Sequence, residues 1–434
     1  MILSVGLVWG FVLGAQGELT LEQCAELAGR YHPRLTAAAH HVRVSEARVG
    51  QARSGSLPMV DVTVSYARAT SNFTGAPGSL PESFLTNPAY APIGSNTSFN
   101  SWGGAMTARH TLFDFGRTGG AIQAEQRSVE ASEASRRLVK SELAYELTRA
   151  YYQCLQAQHV VGVREDSVRQ MAQHLARAKT KFAAGDRPKT DVTKAEVDLA
   201  NAKLALIQSQ SDIKVAWLGL QQAIGFPSEP LPDRVAERVE PVVNITMGTE
   251  AAVSQALAQR PELALIQLQI AGAQYREIVA ESGFYPTLGA LAQYDWRGRE
   301  FPLTHNWFIG MSLTVPVFSG FLTTFHVDET RAATEALRAQ SQTVTQAIRV
   351  EVEQAITQLQ TMAEQVKAAE VVVRHAVDHL ELTQSRYDAG AGSLVDLTDA
   401  QVALNAAEVQ RIRAQTEYAV AKARWERALG SLTL

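Results

Sequence analysis

The sequence predicts a mainly α-helical chain with membrane β-strands, built from two copies of one helix–hairpin–helix unit. Three observations predict this fold: landmarks recur at two constant offsets, two pairs of segments alternate apolar and polar residues, and two very long helical stretches contain no proline. The chain of 434 residues has a formal net charge of -4, which gives no basic surface for nucleic acid. Aromatic residues make up only 7%, as expected for long, closely packed helices.

The internal repeat appears as two sets of matching landmarks. Early in each copy the matches lie about 228 residues apart, and later they lie about 205 residues apart. The offsets differ because the first copy carries an extra segment at 71–100. The first set pairs Pro33-Arg34-Leu35 with Pro261-Glu262-Leu263 and the SGSLP ending at Pro58 with the SGFYP ending at Pro286; the second pairs Phe113 with Phe318, the KFAAG ending at Gly185 with the RYDAG ending at Gly390, and Ala223-Ile224-Gly225 with Ala428-Leu429-Gly430.

The duplication sets the predicted domain boundaries: a signal peptide at 1–17, a first repeat at 18–225, a linker at 226–247 and a second repeat at 248–434. The N-terminal segment has an apolar centre and ends in small residues, which is typical of a secretory signal, although no Lys or Arg precedes the apolar centre. A buried N-terminal strand is the alternative interpretation. Export from the cytoplasm is the prediction.

Each repeat opens with a short helix, which a proline in its first turn favours; the first runs from about Pro33 to Leu57. Two stretches follow in which one face is apolar and the other polar, as in amphipathic strands. Roughly ten residues is the length that a tilted transmembrane strand needs. The predicted strands are about 59–69 and 101–113, then about 287–297 and 305–317, with apolar faces such as Val60, Val62, Val64 and Tyr66, or Trp307, Ile309, Met311, Leu313 and Val315.

A very long helix follows each hairpin and ends at a glycine: about 117–184 before Gly185, and about 321–389 before Gly390. Some 68 residues of helix measure about 100 Å. Shorter helices return at about 188–224 and about 394–430. No internal run of about 18 apolar residues occurs, so no helix is expected to span a bilayer. The second long helix carries a coiled-coil-like seam of Val344, Ile348, Val352, Leu359, Met362, Val366 and Val373.

Four amphipathic strands cannot close a barrel, and lipid tolerates no open sheet edge. If the strands lie in a membrane, several chains must share one barrel: two chains give eight strands with a nearly filled interior, and three give twelve with a lumen. The rival interpretation is a soluble antiparallel sheet packed on helices. The segment at 71–100 is expected to be a loop facing the cell exterior. Aromatic residues near the strand ends favour the membrane interpretation: Tyr66, Phe99, Trp102, Trp296, Trp307 and Phe308.

The junctions between strand and helix read LFDFG and VFSG, and the two turns between the long and returning helices read KFAAGDRPKTDVTKAEV and RYDAGAGSLVDLTDAQV. With these motifs and the duplicated unit, the chain resembles the TolC-like outer-membrane efflux proteins over essentially its whole mature length. The resemblance implies a homotrimer in the outer membrane, with a twelve-stranded β-barrel continuous with a long α-helical barrel in the periplasm. It also implies an export duct of a tripartite efflux or type I secretion system, which meets a periplasmic adaptor protein and an inner-membrane pump.

The resemblance assigns roles to residues at the periplasmic tip. Asp396 and Asp399 would line a pore constriction, and Tyr387 and Asp191 would tie the helix pairs together. Thr190 matches a threonine that the family links to an arginine, but Gly392 stands at that arginine position, so this second tie is in doubt. The tip turns for adaptor docking would include Gly185, Gly390 and Leu394.

The two aspartates also have an interpretation independent of the family. They lie three residues apart, hence on one helix face, and threefold symmetry would gather six carboxylates that favour cations. Ser393 followed by Asp396 also fits a helix-capping box, in which the carboxylate is stabilised by the helix dipole. We expect both roles.

Other candidate sites are weaker. His375, Asp378 and His379 have metal-ligand spacing, but a solvated helix surface explains them better. Cys24 and Cys154 are expected to be buried thiols, although an oxidising compartment would permit a disulfide. The sequence offers no catalytic nucleophile, so we expect neither an enzyme nor a cofactor. The alternative function is a non-conducting trimeric coiled-coil scaffold or adhesin of the cell envelope.

Overall fold

The computed structural model describes residues 17–70, 98–228, 230–238, 240–242 and 247–434. Residues 1–16 of the predicted signal peptide and residues 71–97 of the 71–100 segment lie outside these ranges. Over the described ranges, no helix combines the length and apolarity that crossing a membrane requires.

The chain folds into two compact units: one comprises residues up to Val42 with Ser132–Ile266 and Gln340–Leu434, and the other comprises Arg43–Ala131 and Gln267–Ala339. The elements of the first repeat are α1 (Leu21–Tyr31), α2 (Pro33–Ser54), β1 (Met59–Thr70), β2 (Ser98–Phe113), α3 (Arg117–Ala183) and α4 (Lys189–Ile224). Those of the second are α5 (Thr249–Gln259), α6 (Pro261–Glu281), β3 (Thr287–Gly298), β4 (Thr304–Thr314), α7 (Leu322–Asp388) and α8 (Leu394–Leu429).

Three boundaries differ from the sequence prediction. The first short helix ends at Ser54 rather than near Leu57, and β2 begins at Ser98, where its backbone pairs with the end of β1. β4 ends at Thr314 rather than near residue 317, because Pro316 has no backbone N–H to extend a strand ladder. The helices α1 and α5 were not predicted.

The backbone repeats the duplication in detail. Phe115 and Gly116 have positive φ angles at the start of α3, and so do Gly320 and Phe321 at the start of α7. The N–H of the next residue closes the same turn in both copies: Arg117 donates to the Asp114 carbonyl, and Leu322 donates to the Ser319 carbonyl. The two repeats therefore follow the same turn residue by residue.

The second unit contains one antiparallel sheet in the order β1-β2-β3-β4. The register places Val62 opposite Met106, Met106 opposite Tyr294, and Tyr294 opposite Trp307, so the apolar residues of all four strands share one face. The other face carries polar groups, including Asp61 beside Arg109. Large apolar side chains of β1 and β4 are exposed in the single chain: Val60, Val62, Val64, Tyr66, Trp307, Ile309, Met311 and Leu313.

The first unit contains the helical cores. Ile348, Val352, Leu359 and Val366 of α7 are buried against α8, which confirms these four positions of the predicted seam. A second core includes both cysteines, which are buried and not joined by a disulfide, as expected of two thiols. Burial raises the pKa of Cys24 to about 12, so this thiol stays protonated.

The segment between the repeats is held by a charged cluster around Glu240. Its carboxylate accepts hydrogen bonds from Lys422 Nζ at 2.7 Å, Arg238 Nε at 2.8 Å and the Tyr152 hydroxyl at 3.0 Å. Burial by itself would raise the pKa of Glu240, but the hydrogen bonds outweigh it and lower the pKa to about 2. The segment is therefore fixed to α3 of the first repeat and to α8 of the second.

Candidate functional site

The tip of the first unit consists of two tight turns, one between α3 and α4 and one between α7 and α8. Gly185 and Gly390 have φ angles of +80° and +77°, a left-handed conformation that favours glycine. Both glycines are exposed. The chain reverses in the same way in both repeats, since Asp186 donates its N–H to the Lys181 carbonyl and Ala391 donates to that of Arg386.

A small apolar core joins the two turns. Tyr387 is 1% exposed and Leu394 is 2% exposed, and both pack in a cluster that includes α3 and α4 residues such as Ala178 and Ala195. Of the predicted docking residues, the two glycines lie on the surface, whereas Leu394 lies inside the tip. The tip is thus a packed unit rather than two independent hairpin ends.

Tyr387 lies among charged side chains of the first turn. The Lys181 ammonium lies 4.2 Å from its ring centroid, and the Arg187 guanidinium lies 5.5 Å from it, distances at which cations are attracted to an aromatic face. The buried Tyr387 hydroxyl has no hydrogen-bond partner among the described residues. Burial raises the pKa of Tyr387; Arg187 opposes that rise, and Asp191 adds to it. No hydrogen bond joins Asp191 to this hydroxyl, and Thr190 is exposed.

Arg187 provides a polar link between the two turns that sequence analysis missed. Its Nη2 donates to the carbonyl oxygen of Gly392 at 3.0 Å. The two residues are 205 positions apart, which makes Arg187 the repeat equivalent of Gly392. The arginine that the family resemblance places at residue 392 is thus present at the matching position of the other turn. The repeat offset was the signal that could have identified it.

Asp396 and Asp399 are both exposed in the first turns of α8. The Asp396 N–H donates to Ser393 Oγ at 3.1 Å, and the Ser393 N–H donates to Asp396 Oδ2 at 3.2 Å, which is the predicted capping box. These hydrogen bonds hold the pKa of Asp396 below its usual range. The first repeat has Lys194 at the position equivalent to Asp399, so only the second repeat presents this pair of acids.

The candidate metal site on α7 is an open helix surface. His375 Nδ1 lies 3.9 Å from Asp378 Oδ2, and both side chains are largely exposed. Among the residues that the structure describes, no group of three or more His, Cys, Asp or Glu side chains has the arrangement that could hold a metal ion.

A family comparison matches both repeats. The model of the family described as "Outer membrane efflux protein" matches residues 26–226 and 252–431. The chain belongs to the outer membrane efflux protein family. One matched segment falls in each repeat, which agrees with the duplication.

Curated relatives extend over most of the chain. The outer membrane efflux protein BepC of Brucella suis biovar 1 (strain 1330) is 23% identical over 326 residues, or 74% of this chain and 70% of BepC. Nodulation protein T of Rhizobium leguminosarum bv. trifolii is 25% identical over 409 residues, or 91% of this chain and 82% of that protein.

Solved structures show the same fold. The crystal structure of the Campylobacter jejuni CmeC outer membrane channel matches with a TM-score of 0.81 at 18% identity, over 95% of this chain and 86% of CmeC. The predicted mainly helical fold with its duplicated unit, the export function and the outer-membrane location are confirmed. Members of the family and the structural neighbours are channels rather than enzymes.

Proposed function

We propose that three copies of this chain assemble into a passive, gated export duct that docks to a periplasmic adaptor and an inner-membrane pump. The observation that carries the proposal is the four-stranded sheet. Its β1 and β4 edges lack a strand partner within the described chain, and its apolar face is exposed. Lipid does not tolerate such edges, and three chains supply the twelve strands of a barrel with a lumen.

The helices support the same assembly. α4 exposes a stripe of large apolar side chains on the face turned away from its own core, where a neighbouring chain would cover them. Since these residues recur along one side of a helix, the partner is expected to be another long helix. The stripe consists of Val197, Leu204, Ile207, Val215 and Leu218.

The gate is proposed at the tip. Threefold assembly would gather Asp396 and Asp399 of three chains into a ring of six carboxylates, which favours cations over anions. The hydrogen bonds that keep Asp396 ionised preserve this charge at neutral pH. Tyr387, Asp191 and Thr190 are proposed to restrain the closed tip, together with the Arg187 link to Gly392.

Energy for export comes from the partner pump in this proposal, and the chain supplies the pore. The turns at Gly185 and Gly390 are the proposed docking points for the adaptor, because they are exposed at the end of the helical pairs, and Leu394 supports their shape from inside the tip. The relatives include the alkaline protease secretion protein AprF of Pseudomonas aeruginosa, which supports a role in secretion as well as in efflux.

The test is single-channel conductance in a planar bilayer. Wild-type protein should give a small, cation-selective conductance that multivalent cations block. Asp396→Asn with Asp399→Asn should weaken both the selectivity and the block. The matched control is Asp378→Asn with Glu381→Gln, another pair of exposed carboxylates three residues apart on a helix, which should leave both properties unchanged.

If folded, membrane-inserted protein conducted no ions under conditions that open the tip, the duct proposal would be wrong and a scaffold role would replace it. If the control pair reduced the block as strongly as the tip pair, the constriction would not lie at Asp396 and Asp399.

A further inference from the structure

We infer that the start of α7 docks on α2 of a second copy of this chain. This contact would be the repeat equivalent of the contact between α3 and α6 within one chain, but with the large and the small residues on opposite helices. This inference deepens the proposed trimer by naming the surfaces that join its chains. It rests on that proposal only for the number of copies.

The contact within one chain joins the start of α3 to the end of α6. Arg117 Nε donates to Ser282 Oγ at 3.2 Å, and the Phe115 ring stacks on Tyr285 with centroids 5.1 Å apart. Small residues of α3 allow this close approach: a Cβ placed on Gly120 would lie 3.0 Å from Val279 Cγ2. Both helices belong to the same compact unit.

The repeat offsets assign an equivalent residue to each member of this contact. α3 corresponds to α7 and α6 corresponds to α2, so a contact between α7 and α2 would be the repeat equivalent of the contact between α3 and α6. The offsets hold in the structure as well, because Gly55 lies against Thr118 in the first repeat and Gly283 lies against Thr323 in the second.

The first exchange concerns Ile278. A Cβ on Gly116 would lie 3.9 Å from Ile278 Cγ2, and one on Gly120 would lie 3.7 Å from the same atom. A large residue of α6 therefore occupies space left by one glycine just before α3 and one within it. The equivalent residues reverse these sizes: Phe321 lies just before α7, Phe325 lies within it, and α2 has Gly50. A Cβ on Gly50 would meet nothing within 4 Å.

The second exchange lies two helical turns further along. A Cβ on Gly272 would lie 3.6 Å from Arg127 Cβ. The equivalents are Val44 on α2 and Ala332 on α7, so again the larger residue has changed sides. In both exchanges a large residue on one helix would face a small residue on the other, as close packing requires.

The surfaces concerned are open in the single chain. Phe321, Leu322 and Phe325 are 61%, 71% and 69% exposed, and Val44 is 48% exposed. Phe321 also has a φ angle of +64°, which is unfavourable for a bulky residue and persists where the surroundings fix it. Exposed aromatic rings at a strained turn are expected to have a partner.

The occupant is a second copy of this chain, because the complementary surface is present on the same molecule. The contact is heterologous: α7 of one copy meets α2 of the next, so the contacts continue around a ring until it closes. The flexible Gln51 side chain stands where α6 has the rigid Val279, and it can move aside for Phe325.

The test is cysteine cross-linking of the full-length protein in detergent. Val44→Cys with Ala332→Cys should form a disulfide, because the equivalent Cβ atoms lie 3.6 Å apart and disulfides need about 3.5–4.5 Å. Copper-phenanthroline oxidation should give covalent dimers and trimers on a denaturing gel without reductant. The matched control, Val44→Cys with Ala333→Cys, places the second thiol on another helix face and should stay monomeric on the gel. Wild type, with only the buried Cys24 and Cys154, should also give no ladder.

The positive control is Arg127→Cys with Gly272→Cys, which should give a disulfide within one chain. If that control reacts, and native mass spectrometry shows a trimer but the Val44 and Ala332 variant gives no ladder, the docking surface is wrong while the proposed trimer stands. If native mass spectrometry shows only monomers, both proposals fail. A disulfide within single chains of the Val44 and Ala332 variant would also overturn the docking surface.

A second measurement tests the exchange of sizes without cysteines. Gly50→Ile should reduce the trimer fraction, and Phe325→Gly should reduce it as well. The two together should recover trimer, because they place an isoleucine opposite a glycine, as Ile278 lies opposite Gly120 in the contact between α6 and α3. If the double variant showed the full loss of both single variants, the two residues would not face each other.

Discussion

The two returning helices, α4 and α8, are copies of one element, each of 36 residues, yet they are covered very differently. α8 buries residues on nearly every face, from Leu394 to Leu429, whereas α4 buries Ala195, Ser209, Leu220 and Ile224. Ile412 of α8 is 5% exposed, and its equivalent in α4, Ile207, is 63% exposed. The same residue type at the same repeat position is core in one copy and surface in the other.

This difference shows what a duplication inside one chain leaves open. Each repeat needs neighbours on both of its sides. Within a single chain the two repeats cover each other on one side, and the elements on their other sides stay uncovered. The uncovered elements are α2, α4, α7, β1 and β4. The exposed faces therefore indicate where further copies join, and each prediction below compares a covered position with its uncovered counterpart.

The largest expected effect is at the equivalent isoleucines. Ile412→Ala should lower the free energy of unfolding by about 2–5 kcal/mol, because it leaves a cavity in a packed core. Ile207→Ala should change it by less than about 0.5 kcal/mol in the dissociated chain. Urea unfolding at low protein concentration measures both. Equal losses for the two variants would mean that α4 is covered within one chain, and the comparison would fail.

The next effect concerns Glu240, which accepts hydrogen bonds from Tyr152 on α3, Lys422 on α8 and Arg238 in its own segment. Its pKa is about 2 in the folded chain against an ordinary value of 4.5, so its stabilisation is complete above about pH 4.5 and is lost as the pH falls toward 2. Glu240→Gln should lower the free energy of unfolding at pH 7 by on the order of 1–3 kcal/mol and remove this part of the acid sensitivity. Thermal unfolding between pH 7 and pH 2 tests whether this stabilisation is lost on the acid side.

The matched control is Glu250→Gln. That carboxylate also binds an arginine, Arg349, but it is 80% exposed, and its removal should have little effect on stability. An acid profile of Glu240→Gln identical to that of wild type would contradict the assignment.

A smaller effect, on channel opening, is expected at the tip, where Arg187 of the first turn corresponds to Gly392 of the second. Arg187→Gln removes the charged donor to the Gly392 carbonyl, worth about 1.5 kcal/mol, and should raise the open population roughly ten-fold. Single-channel open probability measures it. Lys189→Gln, at an exposed position of the same turn, is the control; a similar rise there would point to general loss of positive charge.

The smallest effect compares the two helix starts at the tip. α8 has a capping box at Ser393, whereas Pro188 caps α4 without a side-chain hydrogen bond. Ser393→Ala should destabilise the first turn of α8 by about 1 kcal/mol, and Pro188→Ala should leave α4 unchanged within about 0.5 kcal/mol. Amide hydrogen exchange of the two first turns measures this. Faster exchange in both turns would show that the tip core, and not the cap, sets local stability.

Periodicity carried the sequence prediction furthest. Apolar and polar residues alternate along the strands, and the apolar residues of the α7 seam repeat in heptads. The element types, and buried positions such as Val352 and Leu359, followed directly from these periods. The turns at Gly185 and Gly390 followed from glycine, which alone adopts their φ angles readily.

The short helices α1 and α5 were missed although signals existed. Thr20 and Gln23 form a capping box, and Leu21 lies one early-repeat offset before Thr249, so the two helices are copies. Eleven residues are too few for a clear period, and isolated helices of that length are marginal in water. Burial of residues such as Cys24 and Ala256 in cores made from distant segments stabilises them.

The sequence by itself determined the duplication, the strand and helix pattern and the turn chemistry, because these depend on residues close together in the chain. Only the tertiary structure decided which copy of each element is covered, that Arg187 reaches Gly392, and that Leu394 lies inside the tip. The physical reason is that the two repeats carry nearly the same local pattern. Burial depends on neighbours brought from far along the chain, so the same residue type is exposed at Ile207 and buried at Ile412.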